Sequence, residues 1–413
     1  MNIIPKIQFD LRHVKIQSII ELLLYFLLIL PDDVFAWGEL YFSKTPSNIA
    51  YKWLNYKFGI LALVLIIWGV WAIHITRNRV ITTLVACFFF REIFFYMFSP
   101  NNCIDQKAYE IYIPLVAGFL LVTIVMRYIK REKDREIFFL RAIFLNIGMI
   151  FVSVLFHLNG IIDRYNAPNM DVEATGAICG MFFVFCLFTV KLKYHFFFAG
   201  VSFIALLLTG SRINLLITLL ITLAGVLVLL LKHRNVKKYV VFNTVVMSLI
   251  VFILFVLATV FEISVPFIST NIIERMQGAL SLTSISSDSS ALGRFRSIFI
   301  GFDILKENPL GISGYFTNLQ IETQKRGFPT FPHSTMLSYY ILLGPIILVL
   351  ILLMIKLLVK LFKMNLSWFF TLAYLFVFFC FTGGPIVSFK PIFFYSMLVT
   401  ICYKIWKEHA ESG

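Results

Sequence analysis

The strongest constraint on this chain is a recurrence of apolar runs that are continuous rather than alternating. They lie at about 16–30, 58–76, 80–98, 109–126, 137–158, 174–190, 196–210, 213–231, 239–261, 334–359, 366–383 and 386–403. A bilayer-spanning helix needs about 20 apolar residues, somewhat fewer where neighbours shield its ends. The sequence therefore predicts about 12 transmembrane helices. Sixty per cent of the 413 residues are hydrophobic and 46 are Phe, more apolar surface than a soluble core absorbs. A closed β-barrel is excluded, because its strands would alternate apolar and polar positions. The expected fold class is an all-α polytopic membrane protein, a single integral membrane domain over 1–413. Only Ser211 and Arg212 separate the two shortest runs, which predicts a tight hairpin or a broken helix there.

Charge sets the expected orientation. With the N-terminus inside, the inner segments 1–15, 77–79, 127–136, 191–195, 232–238, 356–365 and 404–413 hold 21 Lys and Arg. The short outer loops, with Lys390 counted just inside the last run, hold seven. Cytoplasmic loops carry the excess of Lys and Arg, so both termini are expected to be cytoplasmic. The net charge of +14 is then a membrane signature rather than a nucleic-acid footprint. No small-residue cleavage site follows the basic start at Lys6, Arg12 and Lys15, so no cleavable signal is expected. Of the six Cys, only Cys103 falls in an outer loop, which leaves no disulfide framework. There is no CxxC and no cofactor fingerprint, so neither cofactor nor metal is expected.

One segment, 262–333, is polar and long enough for structure of its own, and it is expected to close over an active site from the outside. Within it, Asp288-Ser289-Ser290 offers capping side chains to a helix over Ala291–Lys306 that ends at Asn308-Pro309. Arg294 and Arg296 on that helix point about 200° apart, so one face cannot present both. Arg294 shares the more apolar face with Ile298, Gly301 and Leu305 and is expected inward. Arg296 shares its face with Ile300 and Asp303. His333, after Pro329-Thr330-Phe331-Pro332, opens a membrane helix, where a neutral imidazole can accept a proton or bind a ligand oxygen.

Arg212 sits at the outer membrane boundary, where an ionisable side chain needs solvent or a partner. It is either functional or an arginine reaching lipid headgroups. Arg91-Glu92 lies inside the apolar run Cys87–Phe98 and should face the protein interior. Arg141 is nearer the cytoplasmic end, where its side chain can reach the membrane surface. Arg275, Lys107 and Arg164 are weaker candidates. Asp171-Val172-Glu173 has the look of a metal-binding carboxylate pair, but acidic residues opening a helix explain it better. The outer face thus offers several guanidinium groups, one histidine and few carboxylates. Guanidinium forks suit phosphate oxygens, which points to a lipid-linked phosphate or diphosphate as ligand.

Three short motifs in order extend this reading. Thr209-Gly210-Ser211-Arg212 between two helices resembles the Ser-Arg motif of the O-antigen polymerase and O-antigen ligase superfamily. Ser289-Ser290-Ala291-Leu292-Gly293-Arg294, followed by Glu307-Asn308-Pro309-Leu310-Gly311-Ile312-Ser313-Gly314-Tyr315-Phe316, is similar to its second signature. Pro332-His333-Ser334-Thr335-Met336-Leu337 with Leu343-Gly344 is similar to its third. The resemblance covers about residues 200–350. Ile213 and Ser334 stand where the family commonly has Gly and Asn.

The resemblance implies a GT-C-type helical glycosyltransferase fold, shared with peptidoglycan polymerases, that works without a metal ion or a nucleotide sugar. It implies a polymerase that joins an undecaprenyl-diphosphate-linked glycan to a second lipid-linked repeat unit at the outer face of a bacterial inner membrane. Arg212 and Arg294, with Arg91, Arg296 and Arg275 as further cations, are the expected diphosphate ligands, and His333 is the expected base or orienting group. Lipid-linked units, membrane lipids and a chain-length regulator are the expected partners; nucleic acid is not. A ligase of the same superfamily would pass the finished polymer to lipid A-core instead. A flippase would move lipid-linked glycan without chemistry, but such proteins usually show repeated halves and mid-membrane charges, and no repeat is visible here.

Overall fold

A computed structural model describes residues 21–25, 28, 118, 121–129, 131–156, 165, 167, 170–189, 192–232, 289–312, 316–328, 331–381 and 389–412. Its helices with defined bounds are α1 (Glu132–Phe156), α2 (Val172–Phe188), α3 (His195–Thr209), α4 (Arg212–Lys232), α5 (Ser289–Glu307), α6 (Phe316–Lys325), α7 (Thr335–Leu343), α8 (Ile346–Met364), α9 (Leu366–Phe381) and α10 (Phe389–Ser412). No strand occurs among the described residues. The expected all-α class holds there. Two of these helices, over Lys133–Val154 and Arg212–Leu229, are long and apolar enough to cross a membrane by length and composition.

The chain is built around α2, which is buried along nearly its whole length, from Ala174 to Leu187. Helices α3, α9, α4 and α1 pack against it. Two glycines admit close neighbours. A Cβ on Gly180 would lie 2.2 Å from Tyr374 Oη, and one on Gly176 would lie 2.7 Å from Asn214 Nδ2. Those two neighbours share a buried polar network. Tyr374 Oη lies 3.0 Å from the Asn214 carbonyl oxygen and 3.1 Å from its Oδ1, and donates its one proton between them. Asn214 Nδ2 donates to Glu173 O at 2.8 Å and to Ser211 Oγ at 2.9 Å. Satisfied networks of this kind fix which helices meet and at what depth.

The direction of each helix follows from these pairs. Tyr165 N donates to Leu208 O, and Asn214 reaches Glu173, so the starts of α2 and α4 meet the end of α3. At the opposite end Ser367 Oγ donates to Phe188 O, and Lys356 lies over the Trp406 ring. Among the described residues, the Ser211 turn and the start of α2 therefore share one end of the bundle. The lysine-bearing turns share the other.

The chain reverses at Gly210-Ser211. Gly210 takes the left-handed conformation (φ 59°) as C-cap of α3, and α4 starts two residues later. Of the two readings open for this junction, the structure shows the hairpin: α3 runs antiparallel to α2, with Ser202 Oγ donating to Cys179 O, while α4 runs parallel to it. The run 334–359, read as one helix, is two. Gly344 (φ 70°) ends α7, Pro345 follows it, and α8 starts at Ile346. Proline lacks the amide hydrogen needed to continue the ladder.

Two cores result. The larger joins α1–α4 with α8–α10. The smaller joins α5, α6 and α7 to the start of α8 through Ile300, Ile304, Leu319, Leu337, Ile341 and Ile347. Helix α7 belongs to the smaller core yet also touches α9. The outward faces are apolar. Leu216, Leu220, Leu223 and Leu227 line one strip of α4, and Leu348, Leu352, Ile355 and Val359 line one of α8, each more than two-fifths exposed. Contiguous apolar strips on this scale mark contact with lipid or another protein.

Candidate functional site

Each of the three motifs begins or ends a helix, and the packing decides which of them meet. At the first, Ser211 is structural. Its carbonyl accepts from Leu215 N in the first turn of α4, and its hydroxyl accepts from Asn214. Arg212, half-buried, is the first residue of α4. Its neighbour Ile213 is a half-buried residue packed against the larger core.

At the third motif the backbone of Pro332-His333-Ser334 is held from three directions. The His333 N–H donates to the buried Ser297 hydroxyl of α5 at 2.9 Å. Ser338 Oγ donates to Pro332 O at 3.0 Å. Ser334 Oγ lies 3.4 Å from Phe379 O at the end of α9. Ser334 is also the N-cap of α7, accepting from Leu337 N, a role serine fills as well as asparagine does. The His333 ring is half-buried with Nδ1 fully enclosed, and Phe328 meets it edge to face at a centroid distance of 6.4 Å.

The second motif supplies α5. Its buried ridge runs through Ser297, Ile300, Gly301 and Ile304, and a Cβ on Gly301 would sit 2.5 Å from Leu337 Cδ2. At about 100° per residue, Arg294 lies roughly 60° to one side of Ser297 and Arg296 about 100° to the other. The two arginines thus flank the ridge by register, one on each side of the contact with His333.

Arg296 is exposed and its Nη2 passes near Gly327. With Ile300, Asp303, Lys306, Glu307 and Arg326 it lines an open groove of roughly 590 Å³ between α5 and α6. The other two cations there are matched by carboxylates. Lys306 pairs with Asp303 at 3.0 Å, and Arg326 pairs with Glu307 and, at 2.7 Å, with Glu322. Arg296 forms no hydrogen bond or ion pair with any described residue.

These pairs carry a pH dependence. Burial alone would raise the Glu322 carboxyl, but hydrogen bonds from Lys325 and Arg326 outweigh it and hold it below the ordinary carboxylate range. A carboxyl depressed in the folded state stabilises above its unfolded value, near 4.5, and that contribution fades as pH falls through the lower folded value. Hydrogen-exchange protection over residues 316–328, taken relative to the intrinsic rate at each pH, should therefore fall between pH 6 and pH 3.5 by an amount equivalent to roughly 0.5–1 kcal/mol. In Glu322→Gln the same segment should show little added change over that interval. An equal acid response in wild type and variant would exclude this pair as its origin.

The site residues fall as follows. The starts of α4 and α7, with Arg212 and His333, lie at one end of the bundle, joined through α9: Tyr374 binds Asn214, and Phe379 meets Ser334. Arg294 and Arg296 lie on α5 to either side of Ser297 by register; the Arg294 side chain, expected inward, lies outside the described residues. Arg91 and Arg275 lie outside the described residues, as do Glu92, Lys107 and Arg164. Asp171 is the N-cap of α2 with its carboxylate accepting from Ala174 N, so this acidic pair opens a helix as expected. Three residues were missed from sequence. Asn214 and Tyr374 carried no signal, being polar side chains inside apolar runs whose partners lie 160 positions apart. Lys390 did carry one: it is a lysine inside an apolar run, and the fold buries it completely. No protein-family model, curated protein or solved structure matches this chain.

Proposed function

We propose that this chain is a membrane glycosyltransferase that polymerises a lipid-linked polysaccharide, of the O-antigen polymerase type. About 12 helices of a GT-C-type fold would hold it in a bacterial inner membrane with both termini in the cytoplasm. The observation that carries the reading is the shared location of the Ser-Arg turn, the arginine-bearing α5 and His333 at the end of the bundle opposite the lysine-rich turns. The apolar outer strips of α4 and α8 support a lipid setting.

The donor is a glycan on undecaprenyl diphosphate and the acceptor is a second lipid-linked repeat unit. An acceptor hydroxyl attacks the anomeric carbon, the bond to diphosphate oxygen breaks, and the hydroxyl proton passes to His333. Attack opposite the leaving group inverts the anomeric centre. Arg212 and Arg294, with Arg91 and Arg275 as further cations, neutralise the charge that develops on the diphosphate. Preorganised cations of this kind are often the largest catalytic contribution. They stand where other enzymes of this chemistry use a divalent ion. A chain-length regulator would act as a partner.

Single substitutions test this reading. Arg212→Ala and Arg294→Ala, produced at wild-type level in the native host, should each collapse the glycan ladder to single-repeat products. Loss of the whole protein should do the same, whereas a ligase would leave lipid A-core bare. Long chains made by both variants at normal level would end the proposal.

A further inference from the structure

We propose that the groove between α5 and α6 is a subsite for an acidic sugar of the glycan, with Arg296 gripping its carboxylate. The inference rests on the glycan-handling reading above and adds the substrate's charge to it. Three observations lead to it.

The first is size. At roughly 590 Å³ the groove is within the range of small-ligand pockets, about 300–1,000 Å³. It is large enough for one or two sugar rings.

The second is the charge balance. The groove holds three cations and two carboxylates. Asp303 takes Lys306, and Glu307 shares Arg326 with Glu322. A cation already held by a carboxylate has little left for an incoming anion, but its remaining N–H groups and the partner's second oxygen still suit neutral hydroxyls. Of the three groove cations, Arg296 alone has no partner among the described residues. A guanidinium binds one carboxylate through two parallel hydrogen bonds. The lining thus fits one negative charge set among several hydroxyls, which is the pattern of a uronic acid within an oligosaccharide. A polyanion would meet Asp303 and Glu307 instead.

The third is position. Phe299 lies three residues after Arg296 and four before Asp303, on one strip of α5, and is 68% exposed. An exposed ring beside hydroxyl-binding groups offers its face to the C–H side of a sugar. Phe328, next to Gly327 at the Arg296 end, meets the His333 ring. The Arg296 end of the groove therefore lies beside the Gly327-Phe328 turn that packs on the histidine, and the groove runs along α5 from there. A glycan chain whose reacting sugar lies at His333 can continue there.

Full-length protein in lipid nanodiscs, with cellobiouronate, which carries a single carboxylate, and neutral cellobiose as probes, tests this by equilibrium binding. Cellobiouronate should bind about tenfold more tightly than cellobiose, the effect of one charge-assisted pair at a partly solvated site. The preference should shrink with added salt. Arg296→Gln should abolish it, and Arg296→Lys, which keeps the charge and loses the fork, should retain part of it. Lys360→Gln at the far end of the bundle removes one charge elsewhere and should leave it intact. Both arginine variants change an exposed side chain, and unchanged thermal unfolding confirms that they fold. Equal binding of the two probes, no binding of either, or a preference that survives Arg296→Gln overturns the proposal. The ladder experiment separates the two failures. Collapsed ladders without the Arg296 preference remove this subsite alone, whereas a preference with intact ladders in Arg212→Ala and Arg294→Ala leaves a sugar site on a protein of another activity.

Discussion

Replacing Gly180 by Ala should destabilise the protein by about 3 kcal/mol or more, the upper range for forcing extra atoms into a packed core. The added Cβ would fall 2.2 Å from Tyr374 Oη, 2.5 Å from Cζ and 2.7 Å from Cε2. A flexible side-chain tip could swing aside, but this one is a rigid ring, fully buried, with its hydroxyl committed to Asn214. Helices α2 and α9 must separate, or the ring must leave the network and strand buried polar atoms on α4. Thermal unfolding in detergent measures the loss. Removing the hydroxyl alone does not relieve the contact with Cζ, so Tyr374→Phe should not rescue Gly180→Ala. Tyr374→Leu should rescue it in part, giving a double variant less damaged than the two single losses combined. Wild-type stability in Gly180→Ala would show that α2 and α9 do not meet at this depth.

On the proposed polymerase reading, changing His333 to Ala should lower the rate of chain lengthening by roughly 10²–10⁴-fold, the usual worth of a positioned proton acceptor. Purified protein with lipid-linked repeat units gives the measurement. The residual rate should also lose any dependence on an ionisation between about pH 5 and pH 8, the range in which an imidazole titrates. Ser297→Ala provides the contrast. Ser297 Oγ accepts from the His333 backbone N–H, so its loss should cost far less, about tenfold, and should leave the pH profile in place. A His333→Ala enzyme with a normal rate would remove the imidazole from the mechanism. A Ser297→Ala enzyme as slow as His333→Ala would make the histidine's placement, rather than its proton chemistry, the important quantity.

The two results address different layers of one arrangement. Asn214 lies two residues after Arg212, and its side chain is tied to α2 and α9. Damage to the Gly180–Tyr374 contact should therefore reach the Ser-Arg turn without altering any residue in it. Activity lost in Gly180→Ala at permissive temperature, with Arg212 and His333 intact, is the expected sign of that coupling.

Much of the helix list was legible in the chain, because a continuous apolar run can satisfy its backbone in lipid only as a helix. The hairpin at Ser211 was legible as one of two possibilities, and the α5 helix was placed by its Ser-rich start and its Asn308-Pro309 stop. Helix α6 was not, since the short polar stretch Phe316–Lys325 has no apolar period to reveal it. The split of 334–359 into α7 and α8 was also hidden, although Gly344-Pro345 marks the place. Hydropathy averages over a window and is blind to one broken hydrogen bond.

By itself, the sequence determined the all-α class of the described residues and offered a short list of candidate anion-binding residues. Those follow from local composition, which acts without reference to distant parts of the chain. The tertiary structure alone decided that Ser297 holds His333, that Asn214 and Tyr374 lock the Ser-Arg turn in place, and that Arg296 is left uncommitted while Lys306 and Arg326 are matched. Each of these depends on which surfaces press together across dozens or more residues, and no period or propensity along one segment encodes its partner.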